Sequence, residues 1–184
     1  NMPEFTKNFP DVALVPIVSS AKALKIICKR WMDRYARIPD AVVVEGPLSG
    51  GHQGFSYEDC FKEEYQLENV LPQVVDEAKK WGHIPIIAAG GIWDRMMALG
   101  ASGVQMGTRW LGSLECDAVA YRDLMPSVTK EDIELVKSPV GYPARAVKTG
   151  IFDRLAQGNA PKIRCISNCV SPCHRGVEAK KVGY

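Results

Sequence analysis

The stretch VVVEGPLSGGHQG, Val42 to Gly54, decides how the chain is read. Val42, Val43 and Val44 form an apolar run without polar alternation. That is the pattern of a strand covered on both faces, as in a parallel sheet. Gly50 and Gly51 remove side-chain bulk where the strand ends, so backbone there can approach a flat or anionic ligand closely. His52 is the one side chain of this glycine cluster that exchanges protons near neutral pH. A strand ending in a glycine-rich loop that bears a histidine is the layout of an α/β active site. A tight turn with a solvent-facing histidine fits this stretch equally well, so the flanking sequence has to decide.

Upstream, Pro3 and Pro10 predict an irregular start over Asn1–Asp11. Ala13–Val18 (ALVPIV) predicts a short strand. Ser19 and Ser20 offer an N-cap, and Ala23, Leu24, Ile27, Cys28 and Trp31 recur at helical spacing, which predicts a helix over Ala21–Tyr35. Downstream, the polar segment Phe55–Tyr65 is too long for a tight turn and reads as an excursion or lid over the site. A helix is predicted over Leu67–Trp81 with Gly82 as its C-cap. Ile84–Ala89 is a strand opening into Gly90 and Gly91. A short helical piece, Trp93–Leu99, leads to a last strand, Gly103–Met106, opening into Gly107 and Thr108.

Strict alternation of strand and helix implies parallel strands joined by right-handed crossovers. Four such strands make half of an eight-stranded barrel or a small open sheet. Glycine-bearing ends on two successive strands favour the barrel, where the loops after the last two strands hold a phosphate group. Backbone N–H groups at Gly90, Gly91, Gly107 and Thr108 would be the donors. The crossover from Ile92 to Gly103 barely reaches the roughly ten to twelve residues such a connection needs. Residues are therefore expected to be missing from the chain between Arg95 and Met96. Residues 113–184 read as a helical and irregular appendage, with helices over Ala118–Leu124 and Lys130–Val136. Breaks follow at Pro139, Gly141 and Pro143, then a further segment over Ala146–Ala156.

Of the 184 residues, 46% are hydrophobic and 24% charged, and the net charge is +2, so nothing calls for nucleic acid or an anionic membrane. No run approaches the roughly 18 apolar residues of a membrane helix. No signal peptide is visible, and the chain opens on Asn1, so its true amino terminus is expected upstream. Cys28, Cys60 and Cys116 read as small buried apolar residues in a reducing, cytoplasmic setting. Cys165, Cys169 and Cys173, beside His174, could form a metal- or redox-binding module, which is kept as a minor alternative. A structural zinc site needs four ligands, and Pro172 breaks any helix that would stack the three thiols, so no metal is expected. His83 reads as a surface or capping residue, and Trp31, Trp81 and Trp93 as packing. Arg145 could meet an anionic substrate, although a solvated loop arginine is the commoner outcome. Tyr57 and Tyr65 would line the mouth if Phe55–Tyr65 is a lid.

Three motifs, EGPLSGGHQG, IIAAGGIWD and GASGVQMGTRW, in that order, resemble the nitronate monooxygenases, also called 2-nitropropane dioxygenases. The same superfamily includes the flavin-dependent enoyl-acyl-carrier-protein reductases. The resemblance runs from Leu14 to Leu111 and continues through KSPVGYPARAV and NCVSPCHRG. It implies an FMN flavoprotein on a (β/α)8 TIM barrel, with this chain covering strands five to eight. Residues 1–112 would form the second half of that barrel, and residues 113–184 the appendage packed on it. Four strands cannot close a barrel, so open edges are expected.

Carried over position by position, His52 matches the family's catalytic histidine beside the flavin, and Gly50 a glycine that contacts it, with Gly51 adjoining. Gly91 matches a phosphate-contacting glycine, with Gly90 its neighbour. Gln105, Met106, Gly107 and Thr108 match the second phosphate-binding strand end, and Glu45 stands where many members carry glutamine. The resemblance further implies oxidation of alkyl nitronates or nitroalkanes by oxygen to a carbonyl compound and nitrite, small-molecule partners only, and a homodimer. The alternative on the same scaffold is NAD(P)H-dependent reduction of an enoyl thioester.

Overall fold

The computed structural model describes residues 2–92, 99–137, 142–148, 150, 153–154 and 157–159. Residues 2–5 form one helical turn, α1 (Met2–Phe5), where an irregular start was expected. Pro3 lies in the first turn, where its missing N–H costs nothing, and the Tyr35 hydroxyl donates to Glu4 Oε2 at 2.7 Å. The first strand, β1, is only Ile17–Val18 rather than the whole of Ala13–Val18. Pro16 has no N–H to give a ladder, although its carbonyl accepts from Val43 N–H at 3.0 Å.

Helix α2 (Ala21–Tyr35) has the predicted limits. Ser20 Oγ accepts from Ala23 N–H at 3.2 Å, and Leu24, Cys28 and Trp31 form the buried stripe. Strand β2 (Val42–Glu45) follows, with all three valines buried. The two residues Gly51–His52 form β3. Residues 55–65 fold on themselves through two single turns, Asp59–Phe61 and Glu63–Tyr65. Phe55 packs on Tyr65 and Tyr57 on Phe61, with ring centroids 5.7 and 5.4 Å apart.

Helix α3 (Leu67–Lys79) buries Leu67, Val70, Leu71, Val74 and Ala78. It contains Pro72, which cannot bond to the carbonyl four residues back. The fully buried Leu71 and Val74 on either side hold the helix through that gap. The helix ends two residues before Trp81, and Gly82, φ 94°, takes the turn that follows. Strands β4 (Ile86–Ala89) and β5 (Gly103–Gln105) complete the barrel part. The predicted helix over Trp93–Leu99, and the Arg95–Met96 junction within it, fall in residues 93–98, outside the described residues.

The order across the main sheet is β1-β2-β4-β5, and every pairing is parallel. Glu45 pairs with Ala89 and Ala89 with Gln105, so the carboxyl ends of these strands share one edge. Side chains alternate across the sheet. Val18, Val42, Val44, Ile86 and Ala88 face α2 and α3 and form the core with Leu24, Cys28, Leu71 and Val74. The opposite face carries Ile17, Val43 and Ile87, then Glu45, Ala89 and Gln105 at its rim. Ile17, on an edge strand of that face, is 58% exposed. The fold is α/β, the second half of a (β/α)8 barrel.

Beyond it come α4 (Thr108–Leu111) and α5 (Val119–Leu124), the second close to its predicted limits. The helix expected over Lys130–Val136 is instead one turn, Lys130–Asp132, running into strand β6 (Ile133–Lys137). That strand pairs antiparallel with β7 (Pro143–Val147), which in turn pairs with β3. Ile133 and Val136 are β-branched, and the ladder offered by β7 outweighs the local helical spacing. Cys165, Cys169 and Cys173, and most of the segment 146–156 beyond Lys148, lie outside the described residues.

One carboxylate ties the approach to β1 to the approach to β2. Asp40 Oδ2 accepts from Leu14 N–H at 2.6 Å and from Arg37 at 3.0 Å. The Leu14 N–H, then Arg37, hold its carboxyl below the usual carboxylate range. A depressed carboxylate stabilises the fold above its unfolded pKa, and that contribution is lost as pH falls through the folded value. Asp40→Asn is therefore expected to lower stability at pH 7 and to flatten the loss of stability on the acid side. Because the side chain is 46% exposed, the effect at pH 7 stays below about 1 kcal/mol. Urea midpoints of the two proteins between pH 7 and pH 3 check this.

Candidate active site

The site grows from the tips of the parallel strands. After Glu45 the chain turns through Gly46, whose N–H donates to Ala89 O at 3.1 Å, and Ser49 N–H closes back on Gly46 O at 3.1 Å. A side chain at Gly46 would meet Leu67 Cβ at 2.8 Å, so the turn lies directly on the start of α3. Gly51 has φ 79°, a backbone angle that side-chain-bearing residues rarely adopt. His52 follows, exposed, opposite Ala144 of β7.

A side chain that the sequence reading passed over holds this loop. Gln53 is 2% exposed. Its Nε2 donates to Ser49 O at 2.6 Å and to Gly51 O at 3.3 Å, and its Oε1 accepts from Ser49 Oγ at 3.3 Å. Gln53 N–H donates to Pro143 O at 2.8 Å. Arg145 adds a second grip, its Nε donating to Pro47 O at 3.1 Å. Along β3 and β7 side chains alternate, which puts Gly51, Gln53 and Arg145 on one face and His52 on the other. Arg145 is thus neither a solvated loop residue nor on the His52 side. The sequence carries no local sign of it, since 98 residues separate Arg145 from Pro47.

The β4 tip packs directly on this loop. Gly90 and Gly91 have φ of 89° and 68°. A Cβ on Gly90 would lie 2.7 Å from Ser49 N, and one on Gly91 2.7 Å from Leu48 Cβ. A Cβ on Gly54 would overlap Ser19 Oγ, which brings in the β1 tip. The β5 tip joins through register: Gln105 pairs with Ala89, and half-buried Met106, exposed Gly107 and Thr108 follow, Thr108 opening α4. Gly50 and Gly51 are thus in one loop with His52, Gly90 and Gly91 touch that loop, and Gln105–Thr108 stand beside them on the same edge.

Glu45 is half-buried on the inner face of the rim. Burial pushes its carboxyl up, and a hydrogen bond with Ser49 pulls it part of the way back. No group of three or more metal-ligating side chains exists among the described residues. Space is open where side chains at Gly50, Gly51 and Gly107 would project, with nothing within 4 Å. Bare backbone under open space suits a flat or phosphorylated cofactor.

A half-barrel with glycine tips and a histidine on one edge defines a class, that of (β/α)8-barrel proteins with a site at the carboxyl ends of the strands. A family model described as nitronate monooxygenase matches residues 1–182, and the chain belongs to that family. Curated relatives include "Probable nitronate monooxygenase" from Staphylococcus aureus strains Newman and JH9, each 35% identical over 129 residues. The alignment covers 64% of this chain and 34% of theirs, so it spans about a third of the relatives' length. Among solved structures, FabK from Thermotoga maritima superposes with a TM-score of 0.63 at 30% identity, over 84% of this chain and 44% of that one. No helix among the described residues is long and apolar enough to cross a membrane.

Proposed function

We propose that this chain supplies the proton-handling residue and half of the FMN site of an enzyme oxidising alkyl nitronates or nitroalkanes. Oxygen is the co-substrate, and the products are a carbonyl compound and nitrite. One observation supports the reading above the rest: parallel register sets Glu45, Ala89 and Gln105 side by side at one edge, and the Gly90–Gly91 tip packs on Ser49 and Leu48 of the loop that carries His52. Gly90, Gly91, Gln105, Met106, Gly107 and Thr108 would hold the phosphate side of FMN, and Gly50 and Gly51 would border the ring. FMN, when bound, supplies a two-electron acceptor that oxygen can regenerate. His52 takes the α-carbon proton of a neutral nitroalkane on an imidazole nitrogen, or donates from that nitrogen to the anionic nitronate. Residues 113–184 would cover the barrel mouth. A homodimer in a reducing cytoplasm belongs to the same reading, in keeping with free Cys28, Cys60 and Cys116.

A second reading, reduction of an enoyl thioester by NAD(P)H, draws on the likeness to FabK, an enoyl-ACP reductase. One experiment separates the two. The full-length protein is purified, its chromophore is released by denaturation and identified, and the holoprotein is mixed anaerobically with each donor. Release of FMN, with rapid bleaching by ethylnitronate and little by NADH or NADPH, is the expected result. Bleaching by a nicotinamide and none by the nitronate favours the reductase, and a protein that binds no flavin removes both readings.

A further inference from the structure

We propose that Gln53 is the positioning residue for His52, acting by gripping alternate carbonyls of the 47–52 loop and so fixing the direction of the amides between them. The proposal rests on the reading of His52 as the proton-handling group. Three carbonyls two residues apart are held from one side. Arg145 Nε holds Pro47 O, and the single Nε2 amide of Gln53 holds both Ser49 O and Gly51 O. The amide has only this orientation available. Turned over, its oxygen would face the two carbonyl oxygens of Ser49 and Gly51. Every described peptide bond is trans. A trans peptide sets N–H opposite to the preceding C=O, so holding the carbonyls of 47, 49 and 51 turns the N–H groups of Leu48, Gly50 and His52 the other way. That is away from the atoms that hold the carbonyls, so the grip sets the backbone of the loop that carries His52. At 2% exposed, Gln53 meets no solvent that could replace its bonds, so losing them unlocks the loop.

The test compares wild type, Gln53→Met, Gln53→Glu and His52→Asn in the full-length protein. Hydrogen exchange of residues 47–53 is read beside kcat and KM for ethylnitronate and for neutral nitroethane. Gln53→Met keeps side-chain length but offers no donor. Its loop amides should exchange roughly tenfold faster or more, with α2 and α3 amides unchanged. Its kcat for nitroethane should fall roughly tenfold to a hundredfold at nearly constant KM, the cost of misplacing a reacting group by a fraction of an ångström. Gln53→Glu guards against a folding defect, because its protonated carboxyl regains one donor. Its kcat, as a ratio to wild type at each pH, should rise as pH is lowered. Unchanged loop exchange in Gln53→Met, an unchanged kcat, or a flat ratio for Gln53→Glu each overturns the proposal. Wild-type turnover in His52→Asn overturns the role of His52, and the link to catalysis with it. Faster exchange in Gln53→Met would then still identify the grip, so the two failures are told apart.

Discussion

His52→Asn is expected to retain flavin and to turn over neutral nitroethane about a hundredfold more slowly or worse, the usual size of a general-base effect. The structure explains why such a severe loss need not unfold the loop. His52 is exposed, and its neighbours also hold the loop: Gln53 N–H bonds to Pro143 O, Gln53 Nε2 to Ser49 O and Arg145 Nε to Pro47 O. Asparagine preserves size and polarity at that point but cannot accept a proton near neutral pH. Two substrates divide the possible roles. A neutral nitroalkane must lose its α-proton before it can give up electrons, whereas a nitronate has already lost it. A loss confined to the neutral substrate identifies a base. An equal loss for both identifies a group that orients the anion. Undiminished anaerobic flavin reduction by nitroethane in the variant would reject either role.

Gly90→Ala should be the most damaging small substitution in the rim. The added Cβ meets Ser49 N at 2.7 Å and Ser49 Cβ at 2.8 Å, and φ 89° is itself strained for alanine. Neither neighbour can simply turn aside. Ser49 N–H is bound to Gly46 O and Ser49 O to Gln53, so relief requires moving the loop that carries His52. Backbone strain of this kind costs about 1–3 kcal/mol, and the overlap adds to it. A urea midpoint shift of that size is expected, together with loss of most bound flavin. Gly112→Ala is the control: it has φ −87° and open space beside it, and should change stability by about 0.5 kcal/mol or less. Equal stability and flavin content in Gly90→Ala and wild type would show that the two tips do not depend on this contact.

Where the determinants are local, the sequence was easy to read. Ser20 followed by an apolar stripe specified α2 to the residue, and the unbroken valines of β2 announced a strand buried on both faces. Local pattern misled where a distant partner wins. Lys130–Val136 has helical spacing, yet Ile133–Lys137 pairs with Pro143–Val147. Leu14 looks like strand, but its N–H goes to a carboxylate of Asp40, and Pro16 has none to offer. Gly51, Gly90 and Gly91 were legible because φ angles of 79°, 89° and 68° favour glycine through local backbone sterics alone. Gln53 was not, since a glutamine between His52 and Gly54 has no reason to be buried until the carbonyls of Ser49 and Gly51 curl back towards it. Arg145 needed the β3–β7 pairing, which no periodicity encodes.

That pairing also sets a timetable. Pro47 and the arginine that clamps it are 98 residues apart, so at ordinary elongation rates the clamp leaves the ribosome roughly 5 to 20 s after the loop does. Core strands and helices can pack during that interval, while the histidine turn waits for its fastener. The nascent protein thus acquires its scaffold first and its reactive geometry last.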